Sequence, residues 1–87
     1  MNLLCRNRVT DFAQWRRVFD SHDAAHRTSG LVREWIRRTI EDPNEVFYSF
    51  RVTDLQKAKA FLSAPAVPEA QRESGFIEGQ FWFVDDA

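Results

Sequence analysis

Apolar residues change their spacing along the chain in an order that few folds can accommodate. They alternate in four segments, and alternation indicates a strand: 3–9, 31–40, 46–52 and 76–84. Between the first two segments, and again after the third, they recur every three or four positions, which indicates a helix. The sequence therefore predicts the order strand, helix, strand, strand, helix, strand.

Residues that commonly begin and end helices stand at the borders of the two helical segments. Asp11 with Gln14 three residues later resembles a capping box, and Thr53 with Gln56 repeats the pattern. Gly30 is expected to end the first helix, because glycine readily adopts the left-handed backbone of that position.

Prolines and a second glycine divide the second half of the chain. Pro65 is expected to end the second long helix, and Pro68 to begin a short one that runs through Ser74 and closes at Gly75. Asp42-Pro43-Asn44 predicts a turn, so the strands on either side should form an antiparallel hairpin.

This order predicts an α+β, ferredoxin-like βαββαβ fold: a four-stranded antiparallel sheet with two helices on one face. Its 87 residues are expected to form one domain, 1–87. The other face should carry arginines and large apolar residues: Leu4, Trp35, Phe47, either Trp82 or Phe81 and Phe83, with Arg6, Arg8, Arg33, Arg37 and Arg51. A solvated face would be more polar. A second copy is therefore expected to cover it, which predicts a homodimer.

Charge and cysteine content exclude several classes of protein. The net charge of −1 provides no polycationic surface, so no nucleic acid is expected as a partner. Cys5 is the only cysteine, so it has no partner for a disulfide or a CxxC site and should be a small buried apolar residue. No run approaches the roughly 18 apolar residues of a membrane helix. A cytoplasmic protein is expected.

Residues spread over almost the whole chain carry a resemblance to a known superfamily. They are Val9-Thr10-Asp11-Phe12, Trp15, Val18-Phe19-Asp20, His22, Gly30, Asp42-Pro43-Asn44-Glu45-Val46, Val52-Thr53-Asp54, Ala58, Phe61, Ser63-Ala64-Pro65 and Gly75. On these residues the chain resembles the dimeric α/β-barrel superfamily, which includes antibiotic-biosynthesis-monooxygenase-like proteins, and in particular its small uncharacterised members.

The resemblance implies a homodimer in which two sheets face each other, with a ligand pocket between the sheet and the helices of each subunit. Superfamily members include cofactor-free oxygenases of polyketide-like phenols, small isomerases and haem-degrading enzymes. Haem-degrading members use an Asn on the first strand, which Asn7 matches loosely, together with a His on a helix. No His follows His26 here, so no cofactor is expected.

His22 and His26 are the candidate catalytic residues. They are four positions apart on the face of the first helix that also carries Trp15 and Phe19. An imidazole can act as general base toward a phenol or an enol. Two histidines without a carboxylate on the same face make a poor metal site, so no metal is expected. The alternative is a partly buried histidine stabilised by the end of the helix dipole.

Asn7, Trp15, Phe19 and Trp35 are the candidate ligand-binding residues. The aromatic rings could stack on a planar ligand, or they could belong to the core and the interface. Asn7 should face the helices, where its amide needs a partner: a ligand, His22 or the backbone.

Two functions remain open from the sequence. In the first, the dimer binds a planar aromatic or enolisable small molecule and acts as a cofactor-independent monooxygenase or isomerase. In the second, it is a non-catalytic assembly or regulatory module with no open pocket. A cavity of about 300 Å³ or more beside the first helix, lined by His22, would favour the first function.

Overall fold

The computed structural model describes residues 1–87 and contains four strands and four helices. In chain order they are β1 (Asn2–Val9), α1 (Phe12–Ser21), α2 (Asp23–Thr28), β2 (Leu31–Arg38), β3 (Glu45–Val52), α3 (Leu55–Leu62), α4 (Ala66–Ser74) and β4 (Phe76–Val84). The strands form one antiparallel sheet in the order β2-β3-β1-β4, and the helices cover one of its faces. The predicted ferredoxin-like α+β fold is confirmed.

The N-cap of α1 is the predicted one. The Asp11 carboxylate accepts a hydrogen bond from the Ala13 amide at 3.3 Å, as an N-cap side chain should. The predicted capping box is wrong, however. Gln14 does not reach back to Asp11 but donates from Nε2 to the Glu73 carbonyl at 2.7 Å, which ties α1 to the end of α4.

The first predicted helix is interrupted, and the second begins one residue later than expected. His22 separates α1 from α2, because its amide donates to the carbonyl of Phe19, three residues back, at 3.2 Å. Asp54, not Thr53, caps α3 and accepts from the Lys57 amide at 3.0 Å.

Both glycines that were expected to end helices do so with positive φ. Gly30, which follows α2, has a φ of 78°, and Gly75, which caps α4, has a φ of 75°. A Cβ on Gly30 would lie 2.8 Å from the Asp54 carbonyl oxygen, so glycine also allows this close approach to the start of α3. The predicted start of α4 at Pro68 is wrong, because Pro65 is the N-cap and the helix begins at Ala66.

A β-bulge at Glu34 changes which side chains of β2 face the helices. Arg33 pairs with Phe50, and Trp35 pairs with Ser49, the next residue of β3, so Glu34 has no partner across the ladder. One extra residue shifts the alternation of a strand by one position. The prediction that Arg33 shares a face with Trp35 is therefore wrong.

Leu31 belongs to the core, at 1% exposure. The bulge also places Val32 and Ile36 on opposite faces: Val32 pairs with Arg51, whereas Ile36 pairs with Tyr48 and packs against the core.

The core lies between the sheet and the helices. It contains nine buried residues: Leu3, Cys5, Val9, Trp15, Phe19, Leu31, Val46, Phe50 and Ala58. Burial raises the pKa of the Cys5 thiol to about 12, so Cys5 stays a neutral apolar residue, as expected.

The uncovered side of the sheet, called the open face below, carries most of the predicted residues. By register its large side chains are Leu4, Trp35, Phe47, Trp82, Arg6, Arg8, Arg37 and Arg51. Phe81 and Phe83 pair with Cys5 and Leu3 and so face the helix side, which decides between the two predicted arrangements of β4. None of the helices has the length and apolar character needed to span a membrane.

Candidate functional site

A cavity of about 300 Å³ lies between the helix-covered face of the sheet and all four helices. This volume is at the low end of the range for small-molecule pockets. Most of its lining is apolar, with Val18 from α1, Phe50 from β3, Phe61 from α3 and Val67 from α4. Six polar residues interrupt that lining: Asn7, His22, His26, Tyr48, Gln71 and Ser74. A mostly apolar cavity with a few polar groups is typical of a ligand site.

The interruption between α1 and α2 places both histidines at this cavity. Their rings are 6.4 Å apart between centroids. His22 Nε2 and His26 Nδ1 are buried without a hydrogen-bond partner. Buried polar atoms in proteins are almost always paired, so the two imidazoles bring unused hydrogen-bonding capacity to the site.

His26 is held in an apolar environment. Its ring packs against the rings of Phe50, Phe19 and Phe61 at centroid distances of 5.0, 5.2 and 5.5 Å. Burial, with smaller contributions from the positive charges of His22 and Arg33, lowers the pKa of His26 to about 4. The effect of burial outweighs the helix dipole, which favours a charged histidine in the last turn of α2. His26 is therefore neutral at pH 7.

Asn7 connects the floor of the cavity to the core. In the amide orientation that satisfies both of its polar atoms, Oδ1 accepts from Trp15 Nε1 at 3.3 Å and from the Tyr48 hydroxyl at 3.1 Å, and Nδ2 donates to the Arg6 carbonyl at 2.9 Å. The predicted need of Asn7 for a partner is met by two buried aromatic side chains and the backbone, not by His22.

Tyr48 lies at the centre of the aromatic cluster beneath the cavity. Its ring contacts those of Phe19 and Trp15 at centroid distances of 4.9 and 5.3 Å. Burial raises its pKa well above 10, so its hydroxyl stays protonated. Tyr48 can therefore hydrogen-bond a ligand but is not a base.

Arg33 supports the α1–α2 junction from β2. Its Nη1 lies 2.7 Å from Asp20 Oδ1 and its Nη2 lies 3.9 Å from Asp23 Oδ1, on either side of His22. The guanidinium carbon is 4.5 Å from the centroid of the Phe19 ring. The bulge at Glu34 allows Arg33 to face the helices while Trp35, two positions later, faces the other side of the sheet.

The structure brings some of the predicted site residues together and separates others. His22, His26, Asn7 and Phe19 all line the cavity. Trp15 is 2% exposed and stacks behind Phe19 at 4.6 Å without lining the cavity.

Trp35 lies on the open face, where Arg37 covers its ring at 4.4 Å, far from the histidines in the fold. A ligand-binding role for Trp35 stays a prediction that this cavity does not support.

Sequence reasoning missed the lining residues of β3 and α4. Tyr48 is two positions from both Val46 and Phe50, so the three side chains were expected on the same face of the strand. Its contact with Asn7 was not predictable, because that contact depends on the register of the strand pairing. On α4, Val67, Gln71 and Ser74 are four and three positions apart and so share one face, a signal that was present in the sequence.

Comparisons with known proteins support the fold. No protein-family model and no curated protein matches the sequence. Solved structures do match. SnoaB, a cofactor-independent oxygenase from Streptomyces nogalater, has a TM-score of 0.71 at 18% identity, over 99% of this chain and 93% of that one. An antibiotic-biosynthesis-monooxygenase-like protein from Caulobacter crescentus has a TM-score of 0.74 at 12% identity, over 99% of this chain and 88% of that one.

A NIPSNAP family protein of unknown function from Agrobacterium tumefaciens is a third match, with a TM-score of 0.66 at 10% identity over 99% of this chain and 86% of that one. At such low identity these likenesses establish the fold and leave the activity open. The resemblance predicted from the sequence is confirmed at that level. The chain therefore has the ferredoxin-like α+β fold that the antibiotic-biosynthesis-monooxygenase and NIPSNAP structures share.

Proposed function

We propose that the cavity binds a planar aromatic or enolisable small molecule, and that the chain acts on it without a cofactor in a monooxygenase- or isomerase-like reaction. One observation carries the proposal: a cavity of about 300 Å³ lined by His22 and His26, each with a buried nitrogen that has no partner in the chain. This is the arrangement that distinguishes a ligand site from a closed core, so it favours ligand binding over the alternative of a non-catalytic module.

The roles of the polar residues follow from their protonation. His26, with a pKa of about 4, is a weak base and a hydrogen-bonding group. Tyr48 is a protonated phenol. His22 is therefore the residue proposed to take the proton from a phenol or an enol. The resulting anion can then be oxidised by dioxygen or take a proton back at another carbon, and these outcomes correspond to oxygenase-like and isomerase-like reactions.

The similarity to SnoaB supports the chemical class. That protein is described as a cofactor-independent oxygenase and has the same fold over almost its entire length. A fold can carry many activities, so the support for catalysis comes mainly from the histidines of this chain.

We also propose that two copies pair through their open faces. Trp82 is 44% and Val84 is 41% exposed, and both lie on the open face by register. Arg6 is held within the chain by Glu45 at 2.7 Å and Glu78 at 3.1 Å, so part of the charge on this face is already compensated. A face of large apolar side chains and paired charges is suited to burial against a second copy.

A thermal-shift screen with phenols and quinones tests the ligand site. A ligand present at a hundred times its Kd should stabilise the wild-type protein by about 2.7 kcal/mol. His22→Ala should lose that stabilisation, whereas Arg17→Ala, a change at an exposed position of α1, should keep it. If no compound stabilises the wild-type protein, the proposed ligand site is wrong. Oxygen uptake, or an isomerised product with the compounds that bind, then tests turnover.

A further inference from the structure

We infer that the cavity selects an uncharged ligand with a second polar group, and that Gln71 on α4 binds that second group. This inference rests on the proposed ligand site and specifies the class of compound that the site accepts. Its basis is the charge pattern of the lining and the set of polar atoms that remain unpaired there.

The lining contains no Asp, Glu, Lys or Arg among its 14 residues. Charged residues make up 29% of the chain, so their absence from the cavity is not a consequence of scarcity. An ionised carboxylate, phosphate or ammonium group on a ligand would therefore lose its hydration without gaining an opposite charge, which is costly in an apolar environment.

The cation nearest to the histidines is also held by acidic residues of the chain. Arg33 affects the pKa of His26, but its guanidinium pairs with Asp20 and lies close to Asp23. The charge of Asp23 acts on His26 in the opposite direction to that of Arg33. The nearest cation is therefore engaged by carboxylates of the chain and is not part of the cavity lining.

The proposed reaction is consistent with this selection. Transfer of a proton from a phenol or an enol to His22 creates one imidazolium and one anion, so the charge of the site remains balanced. A ligand that already carried a carboxylate would bring a second negative charge with no cation to balance it.

The unpaired polar atoms indicate where a neutral ligand is held. The Asn7 amide and the Tyr48 hydroxyl satisfy each other. Ser74 donates its hydroxyl proton to the Gln71 backbone carbonyl at 2.9 Å. Gln71 is one of the residues that line the cavity, and its side-chain amide forms no hydrogen bond within the chain. The free groups are therefore the two imidazoles and the Gln71 amide, which suits a neutral compound with two polar substituents.

A matched pair of compounds tests the inference: a hydroxynaphthamide and the hydroxynaphthoate of the same substitution pattern, which differ in charge but hardly in size. Titration calorimetry at pH 8 should show that the carboxylate binds at least about ten-fold more weakly than the amide. Gln71→Arg places a cation at the cavity and should reduce that ratio. Gln56→Arg makes the same change at an exposed position of α3 and should leave it unaltered.

Gln71→Leu separates hydrogen bonding from folding. It should weaken binding of the hydroxynaphthamide by about five- to ten-fold and leave binding of unsubstituted naphthol unchanged. Equal or tighter binding of the carboxylate by the wild-type protein overturns the inference while the proposed ligand site stands. Failure of every naphthol derivative to bind overturns both. An unchanged affinity of Gln71→Leu for the amide overturns the role of Gln71.

Discussion

Asn7 and Gly79 lie directly opposite each other on β1 and β4, and a Cβ on residue 79 would be 2.7 Å from the side-chain amide of Asn7, at the atom that is Nδ2 in the satisfied orientation. The same Cβ would be 2.6 Å from the Arg6 carbonyl oxygen. Gly79 does not have a positive φ, so glycine is needed there for space and not for backbone conformation. The missing side chain leaves room for the Asn7 amide to reach Trp15 and Tyr48.

Gly79→Ala is therefore expected to destabilise the protein. Two of the atoms that the new methyl group would meet are the Arg6 backbone and the Phe76 ring, which cannot move independently of the sheet. Overpacking of this kind costs about 1–3 kcal/mol. Urea unfolding measures the change, and Gln80→Ala, at the next and exposed position, should cost less than about 0.5 kcal/mol. Equal stability of the two variants would contradict this account.

Replacement of Asn7 by Ala should leave two buried donors without their acceptor. Trp15 Nε1 and the Tyr48 hydroxyl both donate to Asn7 Oδ1 in the satisfied orientation. A buried group left unpaired costs about 1–3 kcal/mol. A double-mutant cycle with Tyr48→Phe should give a coupling free energy of about 0.5 kcal/mol or more. Additive effects of the two substitutions would show that the hydrogen bond contributes nothing.

The fold was predictable because its signals are local. Alternating and helical spacing define the strands and helices, and Asp11, Gly30 and Gly75 occupy the terminal positions that their side chains and backbone favour. The type and the ends of each helix or strand therefore depend on a few neighbouring residues and not on where that element packs in the fold. The capping position of α3 and the starting position of α4 were misplaced, by one and two residues, because several adjacent residues there could serve.

The site was less predictable because it depends on contacts between distant segments. The bulge at Glu34 leaves no mark in the alternation of β2, yet it places Arg33 and Trp35 on opposite faces of the sheet. The interruption at His22 occurs in a segment whose spacing fits one continuous helix. The position of His22 and His26 on a shared face was predictable, but the cavity beside them depends on where α4 packs.

The stability of the protein should fall between pH 6.5 and pH 4 because of His26. Its pKa is near 6.5 in the unfolded chain and about 4 in the folded protein, so in this range the unfolded state binds the extra proton. Stability therefore rises with pH across that window, by up to about 3 kcal/mol in total. His26→Leu should flatten the dependence of the unfolding free energy on pH between 5 and 6.5. A profile identical to wild type would mean that His26 is not the group responsible.

Charge placed on the open face should separate the proposed dimer. Light scattering by the wild-type protein at micromolar concentration is expected to give a molar mass of twice the 10.2 kDa of one chain. Trp82→Arg adds a cation next to Leu4, on a face that already carries several arginines, so pairing of two such faces would bury uncompensated charge. Ile40→Arg makes a comparable change at a position that is 98% exposed outside the sheet and should leave the mass unchanged. A wild-type species of 10.2 kDa would exclude the dimer, and a dimer that persists in Trp82→Arg would show that the open face is not its interface.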